Sequence, residues 1–128
     1  MTRELDLPEV VAEVRAAFEE YENALVNNDV AVLDRLFWED SRVVRYGAGE
    51  NLYGYDQIQA FRAARPGNNL ARTLHNTCIT THGRDLATVW TEFTRPGNPR
   101  TGRQSQVWAR RPEGWRVVAA HVSFMDEG

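Results

Sequence analysis

Apolar residues recur at helical spacing through the first third of the chain. Val11, Val14, Phe18, Tyr21 and Leu25 fall on one face, and Glu13, Glu19, Glu20 and Glu22 surround the other. Pro8 suits a first helical position, and Glu9 suits the positive end of the helix dipole. Asn27-Asn28 stops this helix. Asp29 then reads as the N-cap of a short second helix carrying Val32, Leu33, Leu36 and Phe37.

The pattern next turns strand-like over residues 41–46. Gly47, Gly49 and Gly54 punctuate the loop 47–55 that follows. A third helix fits residues 56–65, with Ile58, Phe61 and Ala64 on one side. Pro66-Gly67 ends it, because a residue before proline is pushed out of the helical region. The remainder reads as two antiparallel hairpins. Residues 70–82 and 86–95 flank Gly83-Arg84-Asp85, and residues 103–111 and 115–125 flank Pro112-Glu113-Gly114. The expected order is α-α-β-α-β-β-β-β. Helices and strands are segregated, which defines an α+β chain with an antiparallel sheet. Such a sheet, strongly curved around N-terminal helices, forms a cone whose mouth is a natural ligand pocket.

Length narrows the picture to one domain over residues 1–128, and 42% hydrophobic residues with four tryptophans give it a core. Apolar runs of only a few residues predict no membrane span. The opening Met-Thr-Arg-Glu-Leu-Asp lacks the apolar core of a signal peptide, so a cytoplasmic location is expected. The net charge is −3 and the arginines are scattered, which speaks against nucleic acid as a partner. All fifteen basic side chains are arginine. The absence of lysine excludes a lysine Schiff base and a Gly-Lys-Ser/Thr phosphate loop. A single cysteine, Cys78, excludes an internal disulfide and a Cys-x-x-Cys zinc ribbon. Any bound anion is therefore held by arginine forks, backbone amides or hydroxyls.

Several residues are candidates for chemistry. Tyr21 is either a packed core tyrosine or a phenol pointed into the cone as a proton donor. Arg45 is either an exposed strand residue or a fork for a carboxylate. Alternation puts it on one side with Val43 and Gly47, opposite Arg42, Val44 and Tyr46. Tyr53 or Tyr55 could offer a hydroxyl at the rim. Arg65 could compensate the third helix's C-terminus, and Arg103 could lie in solvent, or either could clamp a second carboxylate. His121 is placed on one strand face with Trp115, Val117, Ala119 and Ser123. It is either packed there or a general acid-base. Glu92 reads as a cross-strand partner of an arginine, and Cys78 as a small buried residue. His75 and His82, seven apart, are expected on opposite faces, so no metal is predicted. By analogy with other cone folds a homodimer through the outer sheet face is expected, and exposed alternation of Gln104, Gln106 and Trp108 is compatible with it.

The wording of the chain is more specific than its elements. Phe37-Trp38, Val44-Arg45-Tyr46-Gly47 and Glu50-Asn51-Leu52-Tyr53-Gly54-Tyr55 resemble the oxalurate-catabolism and AtzH-like family. So do Phe61-Arg62-Ala63-Ala64-Arg65-Pro66, Gly102-Arg103-Gln104-Ser105-Gln106 and the stretch from Gly114-Trp115-Arg116 to His121-Val122-Ser123. The resemblance spans nearly the whole chain. It implies the nuclear-transport-factor-2-like (SnoaL-like) cystatin-like cone. It also implies conversion of 1,3-dicarboxyurea to allophanate without a cofactor, a small anionic urea-type substrate and a neighbouring amidase. It maps a functional tyrosine onto Tyr21 and a functional arginine onto Arg45. The alternatives are a non-catalytic binding or accessory subunit for that amidase, and an isomerase or dehydratase acting on an apolar substrate.

Overall fold

A computed structural model describes residues 4–126. Residues 1–3, which open the stretch read for a leader, lie outside the described part. Helix α1 spans Pro8–Val26 and α2 spans Val30–Leu36. Pro8 and Glu9 occupy the first turn of α1. Its buried face is Val10, Val14, Phe18, Tyr21, Ala24 and Leu25, with Val11 half-buried beside it. Asn28 adopts φ +51 and turns the chain. The Asp29 carboxylate then accepts from the Val32 amide at 3.3 Å and caps α2.

Strand β1 spans Val44–Tyr46 and β2 spans Asn51–Tyr53, the two pairing antiparallel. The second of these falls in the stretch expected to be loop. At three residues it is too short for alternation to reveal it. Gly54 follows at φ +86, a conformation that favours glycine, and opens α3, Tyr55–Ala64. Arg65 is extended ahead of Pro66, as expected. The buried stripe of α3 is Ile58 and Arg62, whereas Phe61 is half-buried and Ala64 exposed. Arg62 is drawn inward by Asp34 of α2, 2.6 Å away, and by the Phe37 ring 4.7 Å beneath its guanidinium. An ion pair thus replaces the apolar contact the pattern suggested.

Four long strands follow: β3 Thr73–His82, β4 Leu86–Thr94, β5 Gly102–Arg111 and β6 Gly114–Phe124. The hairpins β3-β4 and β5-β6 form as expected. The six-stranded curved sheet has the order β2-β1-β6-β5-β4-β3. The architecture is the α+β cone, with two departures: β2 is an added strand, and β1 runs parallel to β6. The concave face packs Ala87, Val89, Trp108 and Val117 against the buried faces of α1 and α2. Trp108 is fully buried and meets the Tyr21 ring edge-on at 6.4 Å.

Two irregularities reassign faces. In β6, Val107 pairs with Ala119 and Trp108 with Val117, leaving Val118 without a partner. This bulge shifts the alternation by one. Trp115 and Val117 therefore point inward, while Ala120 is buried beyond the bulge and His121 is exposed. The expected sharing of a face by His121, Trp115 and Val117 does not occur. In β3, Asn76 at φ +53 marks a shift between His75 and Cys78. His75 pairs with Glu92, and His82 with Leu86. Both histidines thus lie on the outer face rather than on opposite ones.

Strand β5 corrects a further expectation. Gln104, Gln106 and Trp108 are all buried, and Arg103, Ser105, Val107 and Ala109 alternate with them on the outside. The glutamines face the cone interior and cannot form an outer contact surface. Cys78 is exposed, not buried. Glu92 lies opposite Arg103 in register, yet its carboxylate accepts from Asn76 Nδ2 at 3.0 Å.

Candidate functional site

The mouth of the cone collects arginines from four elements. Arg45 comes from β1, Arg62 and Arg65 from the end of α3, Arg72 from the approach to β3, and Arg95 from the end of β4. Three of these cations are compensated. Arg62 pairs with Asp34. Arg72 donates through Nε and Nη2 to the two Glu22 oxygens at 2.9 and 2.6 Å. Arg45 Nη1 lies 3.2 Å from Glu50 Oε2. Glu50 reaches it through the space at Gly47, where a Cβ would lie 1.4 Å from Oε2.

Arg65 and Arg95 have no carboxylate partner among the described residues. Arg65 Nε and Nη2 are both buried without a hydrogen-bond partner. Burial pushes its pKa below the usual guanidinium range, and Arg62, Arg45 and Arg95 add to the effect. Tyr21 lies close enough for its phenol charge to oppose that shift. Arg95 is likewise lowered, by burial first and by Arg72 second, with Glu22 and Tyr21 opposing. Its Nη1 donates only to the Asn69 carbonyl, at 2.9 Å. An unpaired buried donor costs about 1–3 kcal/mol, and more when charged. Arg65 is thus an uncompensated cation near the Tyr21 phenol, with Arg95 half-buried nearby.

Tyr21 itself is 5% exposed. Its ring is held by Phe37 at 6.2 Å and by Trp108. Among the described residues no interior carboxylate is free to act as a base: Glu22, Asp34 and Glu50 are each engaged by an arginine.

The inner face of β5 presents Gln104 and Gln106, each fixed by one donor. Arg72 Nη2 donates to Gln104 Oε1 at 3.1 Å, and Trp108 Nε1 donates to Gln106 Oε1 at 3.0 Å. Both Nε2 groups are buried without a partner.

The other candidates lie elsewhere. Tyr53 is 52% exposed on the outer side, its hydroxyl 3.1 Å from that of Tyr46. His121 packs edge-on against Tyr46 at 5.8 Å. Arg103 is exposed on the convex face of β5. Arg103 and His121 share a cavity of about 410 Å³ with Trp90, Glu92, Ser105 and Ser123, separated from Tyr21 by the sheet. Tyr55 is spent on structure, donating to the Asp34 carbonyl at 3.0 Å. Tyr21, Arg45 and Arg65 are therefore brought together, and Tyr53, Arg103 and His121 are not part of that cluster.

Sequence reasoning missed Arg95, Gln104 and Gln106. The run Gln104-x-Gln106-x-Trp108 carried the signal, since a tryptophan at the same parity marks the inner face. Among the described residues no group of three or more His, Cys, Asp or Glu could hold a metal, and no helix is long and apolar enough to cross a membrane.

Cone, helices and enclosed cations define a nuclear-transport-factor-2-like, cystatin-like domain. A family model for AtzH-like proteins matches residues 3–128, and the chain belongs to the AtzH-like family. A crystal structure of a protein of unknown function from the DUF3225 family of Pectobacterium atrosepticum is 60% identical, with 95% of each chain covered and a TM-score of 0.94. A cystatin-like fold protein from Burkholderia xenovorans is 48% identical, over 97% of this chain and 98% of that one, with a TM-score of 0.93. A nuclear transport factor 2 (NTF2-like) superfamily protein from Salmonella enterica is 26% identical over 94% of each chain, with a TM-score of 0.75. No curated protein matches the chain.

Proposed function

We propose that this protein converts 1,3-dicarboxyurea to allophanate within the cone, without a cofactor. The observation that carries the reading is the Arg65 guanidinium, whose Nε and Nη2 are buried without a partner near Tyr21, with the half-buried Arg95 close by and likewise without a carboxylate. An anionic ligand supplies the charge that these cations lack. Membership of the AtzH-like family supports the same reading.

The reaction breaks one N–C bond of an N-carboxylate. The electron pair stays on nitrogen, which gains a proton, and carbon dioxide leaves. An arginine gripping the departing carboxylate would stabilise the ground state as charge is lost, and so slow the step. Arg65 therefore holds the retained carboxylate, and Arg45, tied to Glu50, borders the same anion. Tyr21 donates the proton to the nitrogen at the far end. His121, on the other face of the sheet, takes no part. The alternative route is hydrolysis, with water attacking a carbonyl. Incorporation of heavy oxygen from water into the released carbon dioxide, with carbonate exchange controlled, separates the two.

The test uses Tyr21→Phe and Arg65→Met, each checked for folding by circular dichroism. Turnover of freshly prepared dicarboxyurea falls by at least about a hundredfold in both, the scale of a lost proton donor. Wild-type activity in both variants would sink the proposal. Ligand binding by the wild-type protein without turnover would favour the accessory role beside an amidase. We also propose a homodimer, now through the outer sheet face that carries Trp90, 59% exposed, rather than through the glutamines.

A further inference from the structure

We infer that Gln104 and Gln106 form a paired amide-donor floor that reads the urea-type carbonyl oxygen of the ligand. They thereby set specificity for carboxylated ureas over simple dicarboxylates. The inference rests on the reading of the cone interior as a carboxylate site and deepens it.

Both side chains are almost fully buried, at 3% and 1% exposure. They are two residues apart on β5 and so project from the same face. Their orientation is fixed by chemistry. A guanidinium and an indole N–H can only donate, so Arg72 and Trp108 each require an amide oxygen opposite them. That leaves each Nε2 as the outward end of its amide, with no acceptor in the protein.

The anchors are themselves rigid. Arg72 is 1% exposed, held by both oxygens of Glu22 and laid 4.6 Å over the Phe93 ring. Trp108 is fully buried and packed on Tyr21. An amide held at its oxygen by such a partner cannot rotate to hide its N–H₂ without orphaning the anchor as well. Glutamine would be a poor choice for simple filling here, because each unpartnered donor costs about 1–3 kcal/mol. Two donors kept under that cost, on the inner face of β5 where Trp108 meets Tyr21, match an acceptor brought by a ligand. A carboxylate goes to Arg65. A neutral carbonyl oxygen, which gains less from a cation, goes to the amides.

The chain contains four glutamines, and the other two, Gln57 and Gln59, are exposed. They serve as internal controls in the experiment. Protein labelled with ¹⁵N at the glutamine side chains is titrated with oxalurate, a carboxylated acylurea, and with malonate, which has two carboxylates and no urea carbonyl. Gln104→Glu and Gln106→Glu assign the resonances. Each keeps an oxygen for its anchor and replaces the free donor by an acceptor. The amide signals of Gln104 and Gln106 shift with oxalurate while those of Gln57 and Gln59 stay in place. Calorimetry gives an oxalurate Kd raised at least about tenfold in each variant, and malonate binds more weakly than oxalurate to the wild type. Should a variant fail to fold, Gln57→Ala and Gln59→Ala identify the two exposed amides, and the shifts of the remaining two in the wild-type protein decide. Oxalurate binding with both amide signals unmoved overturns the inference. So do wild-type affinity in both variants and absence of oxalurate binding to the wild type. Shifted amides in a protein that does not turn over dicarboxyurea would instead overturn the decarboxylation and leave the floor in place.

Discussion

Asp34 and Arg62 join α2 to α3 by an ion pair of 2.6 Å, with side-chain exposures of only 16% and 4%. The same carboxylate residue anchors Tyr55 through its backbone carbonyl. Removing one member of such a pair strands the other charge in a low-dielectric setting. Asp34→Ala is expected to lower stability by about 3 kcal/mol. Urea denaturation checks this, and a loss below about 1 kcal/mol would show that Arg62 finds solvent instead.

Three residues further on, Arg65 has the opposite standing. It is half-buried, with Nε and Nη2 buried and unpaired, so the protein loses little by giving it up. Arg65→Met leaves stability within about 1 kcal/mol of the wild type, or raises it, because an uncompensated cation is replaced by an apolar side chain of similar length. Arg62→Met, by contrast, destabilises by leaving Asp34 unpaired. Parallel melts of the two variants, with dicarboxyurea turnover alongside, separate an arginine kept for the fold from one kept for a ligand.

The contrast also marks what the sequence made legible. The stripe from Val14 to Leu25 and the Asp29 cap were readable because helix period and capping are local. Arg65 stood out as the residue before a proline. Its lack of a partner did not, since that depends on where Asp34, Glu22 and Glu50 are already committed. His121 was misplaced by a single unpaired residue, Val118, which no periodicity announces. The inward turn of Gln104 and Gln106 was hidden because the opposite face of β5, with Arg103, Ser105, Val107 and Ala109, is no more clearly polar. The cone itself followed from element order, while β2 and the parallel pairing of β1 with β6 rest on contacts between distant segments.

Gly102 is a position where space decides identity. A Cβ there would lie 2.1 Å from the Phe93 ring, which pairs across the ladder and packs over it. That ring carries Arg72 at 4.6 Å and Arg95 at 5.3 Å. Gly102→Ala is expected to destabilise by about 1–3 kcal/mol through overpacking. It also shifts both guanidiniums, so oxalurate affinity falls even though no ligand contact is removed. A variant with normal melting and normal affinity would show that the ring moves freely.

The outer face gives a separate expectation. Trp90 projects from it beside the cavity that holds His121 and Arg103. If this face is covered by a second copy, Trp90→Glu buries an unpaired charge and disperses the dimer. Light scattering after size exclusion reads the mass directly. A monomeric wild-type protein, or a variant that remains dimeric, would remove the outer face from consideration.

Acid sensitivity locates one further contribution. Asp40 accepts from the Arg42 amide and Nε at 2.9 Å each and from Nη2 at 3.0 Å. The Arg42 side chain, aided by its backbone amide, holds the carboxyl at about 2, against an ordinary 3.8. A depressed carboxyl stabilises the fold above its unfolded value, and that stabilisation is lost as pH falls through the folded one. Asp40→Asn should therefore melt below the wild type at pH 5 to 7. The gap should narrow as pH drops below about 4 and close near 2. Because both partners face solvent, the gap is expected to shrink in high salt as well. Melting curves of both proteins across this range, at low and high salt, give the difference directly. A gap that stays constant with pH would mean that the shape of the turn, not the charge of Asp40, is what Arg42 recognises.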